Sequence, residues 1–137
     1  MAKNILADKI LIIDFGSQYT QLIARRVREI GVYCEIYSHQ SNLKSIKEFD
    51  ANGIILSGGP ETVKQKGSPK VPNGIFDLDI PILGICYGMQ TITKQLGGKV
   101  ELANKREFGH ADLKISNQGG GLFKNINDKT TSVWMSH

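Results

Sequence analysis

Cysteine is scarce in this chain: 137 residues carry two, Cys34 and Cys86, too few for the disulfide framework that staples small secreted domains. No apolar run approaches the roughly 20 residues a helix needs to cross a bilayer, which speaks against a membrane span. Met1 to Asp8 lacks the apolar core and small-residue cleavage site of a secretory leader, so the sequence points to the cytoplasm. Nor is there a basic block. The formal charge of +4 comes from 17 Lys and Arg set against 13 Asp and Glu, and the only tight group is Arg25, Arg26 and Arg28. Charges this dispersed read as a solvated or partner-facing helix surface, not as a nucleic-acid interface. Internal repeats and low-complexity tracts are missing too. What remains is an ordinary globular composition, 40% hydrophobic and 22% charged, with length for one domain and not for two.

The apolar residues that are present fall into short runs. "KILIIDFG" (Lys9 to Gly16) has the continuous character of a strand buried on both faces of a parallel sheet. A helix should follow, capped by Ser17, with Tyr19, Leu22, Ile23, Val27 and Ile30 on one face and Gly31 as its stop. In "VYCEIYS" Val32, Cys34 and Ile36 alternate with polar or amphipathic residues, which predicts a strand nearer an edge. Gly53 to Leu56 gives a third strand, Lys64 to Pro72 a loop, "IPILGI" a fourth strand, and Tyr87 to Leu96 a helix closed by Gly97 and Gly98. Strands separated by helices imply parallel pairing through right-handed crossovers, hence an α/β, doubly wound, mainly parallel sheet of flavodoxin-like type. After Gly98 the pattern turns β-rich: "GKVELA", "HADLKISN" and "TTSVWMSH" resemble strands, with "GLFKNI" as a helical turn.

In open α/β sheets ligands bind at the carboxyl ends of the strands. Three loops should converge there, "DFGSQ", "SGGPE" and "GICYGMQ". Cys86 stands at a strand-to-helix junction with Gly84 and Gly88 two residues to either side, the cysteine counterpart of a nucleophile elbow. A helix N-terminus favours thiolate over thiol, whereas a cysteine that merely packs needs no glycine on both sides. Cys34 fits the packing description. A thiolate attacking a carbonyl needs donors for the developing oxyanion, which the amide of Tyr87 and the Gly58-Gly59-Pro60 loop could supply. Gln90, four residues on, shares the helical face of Cys86. His39, His110 and His137 each read as surface or loop residues, and none has a glutamate two residues later as a local His-x-Glu base would; His110 has Asp112 there instead.

At these motifs the sequence resembles the class I glutamine amidotransferases. "ILIIDFGSQYTQLIARRVRE", "GIILSGGPETV", "GICYGMQ" and "REFGHADL" match that family's pattern in order and cover essentially the whole chain. The first of these, together with a tyrosine where leucine is common after the cysteine, resembles the glutaminase domains of enzymes that aminate XMP to GMP in purine biosynthesis. The resemblance implies Cys86 as nucleophile, the amides of Gly59 and Tyr87 as oxyanion hole, and Gly58, Gln90, Ser136 and His137 as residues that hold glutamine. It implies no metal or cofactor in this part. ATP and Mg²⁺ would belong to an ATP pyrophosphatase (synthetase) domain, the partner to which ammonia passes, in an enzyme expected to be a homodimer. The family's catalytic His-x-Glu lies beyond residue 137, so the expectation is one amidotransferase domain over 1–137, incomplete at its C-terminus and inactive as a glutaminase by itself. Two alternatives stand beside this reading: a glutaminase serving another synthase of the anthranilate or aminodeoxychorismate type, and a non-catalytic α/β binding module with a vestigial elbow.

Overall fold

In the computed structural model, the structure describes residues 7–59, 67–101, 108–116 and 121–136. The chain divides into two compact units, residues 1–101 and 102–137.

The first unit is built on β1 (Lys9–Asp14), in which Leu11, Ile12 and Ile13 are all inaccessible to solvent. Consecutive burial requires cover on both faces, as the unbroken apolar run predicts. Each such side chain contributes about 1.5–3 kcal/mol relative to exposure. β1 pairs in parallel with β2 (Tyr33–Ser38) on one side and β3 (Gly53–Leu56) on the other, and β3 pairs in parallel with β4 (Ile82–Gly84). The order β2-β1-β3-β4 is the doubly wound arrangement expected from the sequence, with β2 at an edge. Alternate residues of β1 feed two cores. Ile12 joins Ala24 and Cys34 on one face, while Leu11 and Ile13 join Phe15, Ile46, Ile54, Leu56, Ile75 and Tyr87 on the other.

The helix α1 (Thr20–Glu29) covers the first of these faces, and α2 (Leu43–Phe49), α3 (Tyr87–Gln95) and a 3-10 turn over Asn73–Asp77 contribute to the second. Ser17 does not cap α1. Its hydroxyl accepts from the Tyr19 amide at 3.0 Å, and the Asp14 carboxylate accepts from the Gly16 amide at 2.8 Å and from the Thr20 hydroxyl at 2.9 Å. These local bonds hold residues 15–19 as a turn, and the helix begins at Thr20. The buried face of α1 is accordingly Thr20 and Ala24 with Ile23 and Val27 beside them, whereas Tyr19, Leu22 and Ile30 are exposed. Small residues set this face: the Cys34 thiol donates to the Ala24 carbonyl at 3.4 Å, an approach that bulkier side chains would prevent. Gly31, at φ +83°, ends the helix as expected.

The helix α2 has no counterpart in the sequence reading. Asn42 caps it by accepting from the Ser45 amide at 2.8 Å, and Leu43, Ile46 and Phe49 face the core. The second unit pairs β5 (Phe108–Lys114) with β6 (Thr130–Ser136) in an antiparallel hairpin, with a turn over residues 121–125. The β-rich C-terminal part is thus borne out for two of its three strands. Of "GKVELA", residues 98–101 form no strand, and 102–103 lie outside the described residues.

Candidate active site

Cys86 occupies the two-residue step from β4 to α3 with φ 53° and ψ −114°, a backbone conformation that L-residues rarely adopt. The step is sharp because the helix lies directly on the sheet. A Cβ on Gly88 would stand 2.0 Å from the Leu56 carbonyl oxygen, and one on Gly84 would stand 2.7 Å from the Met89 amide nitrogen. Neither position can carry a side chain without moving backbone. The Ile85 amide donates to that same Leu56 carbonyl at 2.9 Å, tying the elbow to the end of β3. The result is a thiol displayed at a helix N-terminus: Cys86 is exposed, whereas Cys34 is 1% exposed within the core. The packing description thus holds for Cys34 and fails for Cys86.

The loop after β3 reaches the elbow. A Cβ on Gly58 would lie 3.5 Å from the Cys86 Cβ and 3.6 Å from the Ser17 Oγ, and one on Gly59 would lie 2.6 Å from the Phe15 carbonyl oxygen. The three predicted loops therefore meet at residues 15–17, 58–59 and 86. What fixes this junction was not legible in the motifs. Ser57, fully buried, lies 3.0 Å by its hydroxyl from that of Thr20 and can donate to the Ile13 carbonyl at 2.9 Å; Thr20 in turn donates to Asp14. Thr20 and Ser57 are 37 residues apart in sequence, so no local pattern announces the pair.

Tyr87, the first residue of α3, is 2% exposed. Its hydroxyl donates to the Pro69 carbonyl, and its ring lies 5.1 Å from that of Phe15 at 54°. Farther along α3, Gln95 binds Val71 through both backbone groups, at 3.2 Å from its amide and 2.9 Å to its carbonyl, and donates to the Asn73 side chain at 2.7 Å. The segment 69–73 is thereby fastened along α3. His39 is half-buried: its ring stacks on Phe15 at 5.6 Å and its Nδ1 is 3.3 Å from the Asp14 carbonyl, an environment more specific than the surface loop expected of it.

Gln90 lies one turn into α3, half-buried, its amide donating to the Cys86 carbonyl at 3.2 Å. Ser136 is the last residue of β6, and His137 lies outside the described residues. In the second unit His110 is exposed, with Nε2 at 3.2 Å from Asp112 and 3.1 Å from the Ser132 hydroxyl.

A parallel sheet in the order β2-β1-β3-β4 carrying a cysteine elbow against a Gly-Gly loop defines an α/β protein with a displayed thiol, and comparison with known families says which class it is. The family model for class-I glutamine amidotransferases matches residues 11–137, and the chain belongs to that family. It is similar to the glutamine-hydrolyzing GMP synthase of Hahella chejuensis, 56% identical over 144 residues that take in 100% of this chain and 27% of that protein. Against the GMP synthase of Vibrio parahaemolyticus it is 57% identical, covering 100% of this chain and 26% of the relative. The chain thus spans about a quarter of the length of these curated relatives. Among solved structures, a Thermoplasma acidophilum protein provisionally described as one of the subunits of GMP synthase superposes with a TM-score of 0.72 at 31% identity, over 95% of this chain and 64% of that one.

Proposed function

We propose that this chain is the glutaminase part of a GMP synthetase, and that Cys86 is its nucleophile. The observation that carries the reading is the strained elbow: an exposed thiol held at φ 53° at the start of α3, with Gly58 against it. The Cys86 sulfur adds to the side-chain carboxamide carbon of glutamine, and the C=O pair moves onto oxygen. The amides of Gly59 and Tyr87 bind that oxyanion, and removing one such donor elsewhere costs about 10²–10³ in rate. Collapse expels the nitrogen, which leaves as ammonia once protonated, and a glutamyl thioester remains. Water then adds to the thioester carbon, glutamate departs and the thiol returns. In this reading a His-x-Glu pair of the family's kind carries the protons.

Gly58 and Gln90 hold the glutamine in this reading. Ammonia passes to an ATP pyrophosphatase part that aminates XMP to GMP, and that part, not this one, takes ATP and Mg²⁺. Among the described residues no three His, Cys, Asp or Glu side chains are grouped to hold a metal ion. The GMP synthase name of the similar proteins supports this reading over the anthranilate or aminodeoxychorismate type. The whole enzyme acts as a homodimer in the cytoplasm; among the described residues no helix is long and apolar enough to cross a membrane.

Alkylation of Cys86 by a glutamine-like chloromethyl ketone tests the proposal without requiring turnover. Glutamine at saturating concentration should protect Cys86 and asparagine should not. Labelling that neither amino acid slows would remove the glutaminase reading.

A further inference from the structure

We infer that the Phe15–Tyr87 pair is the device that sets the spacing of the two oxyanion donors, an inference that rests on the glutaminase reading above. Phe15 touches both donor residues at once. Its carbonyl oxygen and Cβ sit where a Gly59 side chain would be, at 2.6 and 3.0 Å from the ideal Cβ, so Gly59 lies directly on Phe15. Its ring meets the Tyr87 ring at 5.1 Å. The Tyr87 ring is held at its far end by the hydroxyl bond to the Pro69 carbonyl, and the Phe15 ring is backed by His39 at 5.6 Å.

Phe15 is 4% exposed and Tyr87 is 2% exposed, so neither ring has free space into which to swing. The chain of contacts runs His39, Phe15, Tyr87, Pro69, with Gly59 attached at Phe15. Because Phe15 bears on both donor residues, a shift of its ring moves Tyr87 relative to Gly59, and it is the distance between their amides that the oxyanion would sense. An enzyme can lose about 10²-fold when a group distant from the chemistry misplaces reacting parts by 1 Å. Phe15 and Tyr87 act here as positioning residues, through the backbone amides that their packed rings hold in place.

The test separates oxyanion formation from thiol reactivity. With the chloromethyl ketone, the Cys86 sulfur adds to the ketone carbon, the C=O pair moves to oxygen as an oxyanion, and sulfur then displaces chloride as the carbonyl re-forms. Iodoacetamide alkylates the same sulfur in one displacement of iodide, with no oxyanion. Both rates are measured on the 137-residue chain in a Cys34→Ser background, for Phe15→Leu and for Tyr87→Phe. The second variant keeps the ring and the backbone and removes the hydroxyl that bonds Pro69, so it carries the comparison if Phe15→Leu does not fold.

We expect the maximal inactivation rate by the chloromethyl ketone to fall about tenfold, less than the roughly 10²–10³ that loss of a whole donor costs. Its half-saturating concentration and the iodoacetamide rate should stay within about twofold, since neither depends on the oxyanion. Unchanged rates with both reagents would overturn the inference, and so would an equal fall with both, which would mean that the pair only maintains the fold. Failure of the underlying reading looks different. There the unsubstituted chain itself reacts without saturation by the chloromethyl ketone and without protection by glutamine.

Discussion

Gly88 lies so close to Leu56 that a methyl group on it would stand 2.0 Å from the Leu56 carbonyl oxygen. That approach brings the first turn of α3 onto the end of β3, and with it Cys86 onto the rim of the sheet. The obstructing atom is backbone, bonded to the Ile85 amide, and cannot step aside as a flexible side chain would.

Gly88→Ala should therefore destabilise the chain by about 3 kcal/mol or more, at or above the upper end for overpacked sites. Among the described residues no atom beyond its chain neighbours lies within 4 Å of the ideal Cβ of Gly121, so Gly121→Ala should stay within about 0.5 kcal/mol. Urea unfolding of the two variants side by side decides the matter. A Gly88→Ala chain as stable as Gly121→Ala would mean that the elbow is not held by this contact.

Strain at the nucleophile leads to a second expectation. At φ 53° and ψ −114° a residue with a Cβ costs of order 1–3 kcal/mol, while glycine adopts such angles freely and loses part of that gain through its larger unfolded-state entropy. Cys86→Gly should be more stable than the parent by about 1 kcal/mol, and Cys86→Ala about equal to it. Neither should react with the chloromethyl ketone. Thermal unfolding of the three chains measures the difference, and a Cys86→Gly variant less stable than Cys86→Ala would contradict it.

The buried hydroxyls form a third case. Thr20 donates to Asp14 at 2.9 Å and lies 3.0 Å from Ser57, which reaches the Ile13 carbonyl at 2.9 Å. Thr20→Val and Ser57→Ala should each cost about 0.5–3 kcal/mol, the net worth of the hydrogen bonds each removes, the one from Thr20 to the Asp14 carboxylate being of the stronger, charge-assisted kind. The double variant should cost less than the sum by roughly 1 kcal/mol, the coupling typical of groups in one network. Additive costs would show that the two hydroxyls are independent.

These residues also mark how far the sequence could be read. The strands were legible because Leu11 to Ile13 and Ile54 to Leu56 sit in parallel strands with cover on both faces, which demands apolar runs. The elbow was legible because the close approach at Gly84 and Gly88 forbids any other residue, so packing writes itself into the G-x-C-x-G spacing. Ser17 misled because its capping chemistry is real but is used in a turn with Tyr19, while Asp14 reaches ahead to Gly16 and Thr20. The helix α2 escaped notice although Asn42 and the spacing of Leu43, Ile46 and Phe49 announce it; seven residues give too short a period to stand out. Ser57, Thr20 and the Phe15–Tyr87 contact depend on partners brought together only by the fold.

Tyr33 provides the fourth prediction, one of pH. Burial, the charge of Glu35 and a hydrogen bond to its carboxylate raise the phenol above its ordinary value of 10.0. The sign follows from which state loses its proton first. Below the ordinary value both folded and unfolded chains keep the phenol protonated, and its contribution to stability is fully present. As pH rises past that value the unfolded chain ionises while the folded one resists, so this contribution declines until the folded phenol ionises as well. Stability should thus fall through the alkaline range above pH 10, and Tyr33→Phe should remove that part of the slope. Glu35→Gln should shift the Tyr33 ionisation back down, since it deletes the charge and leaves a weaker acceptor. Ultraviolet titration of the phenolate, paired with urea unfolding at stepped pH, reads both effects. A phenol that titrates at its ordinary value in the folded chain, or an alkaline slope unchanged in Tyr33→Phe, would show that the β2 edge does not carry this linkage.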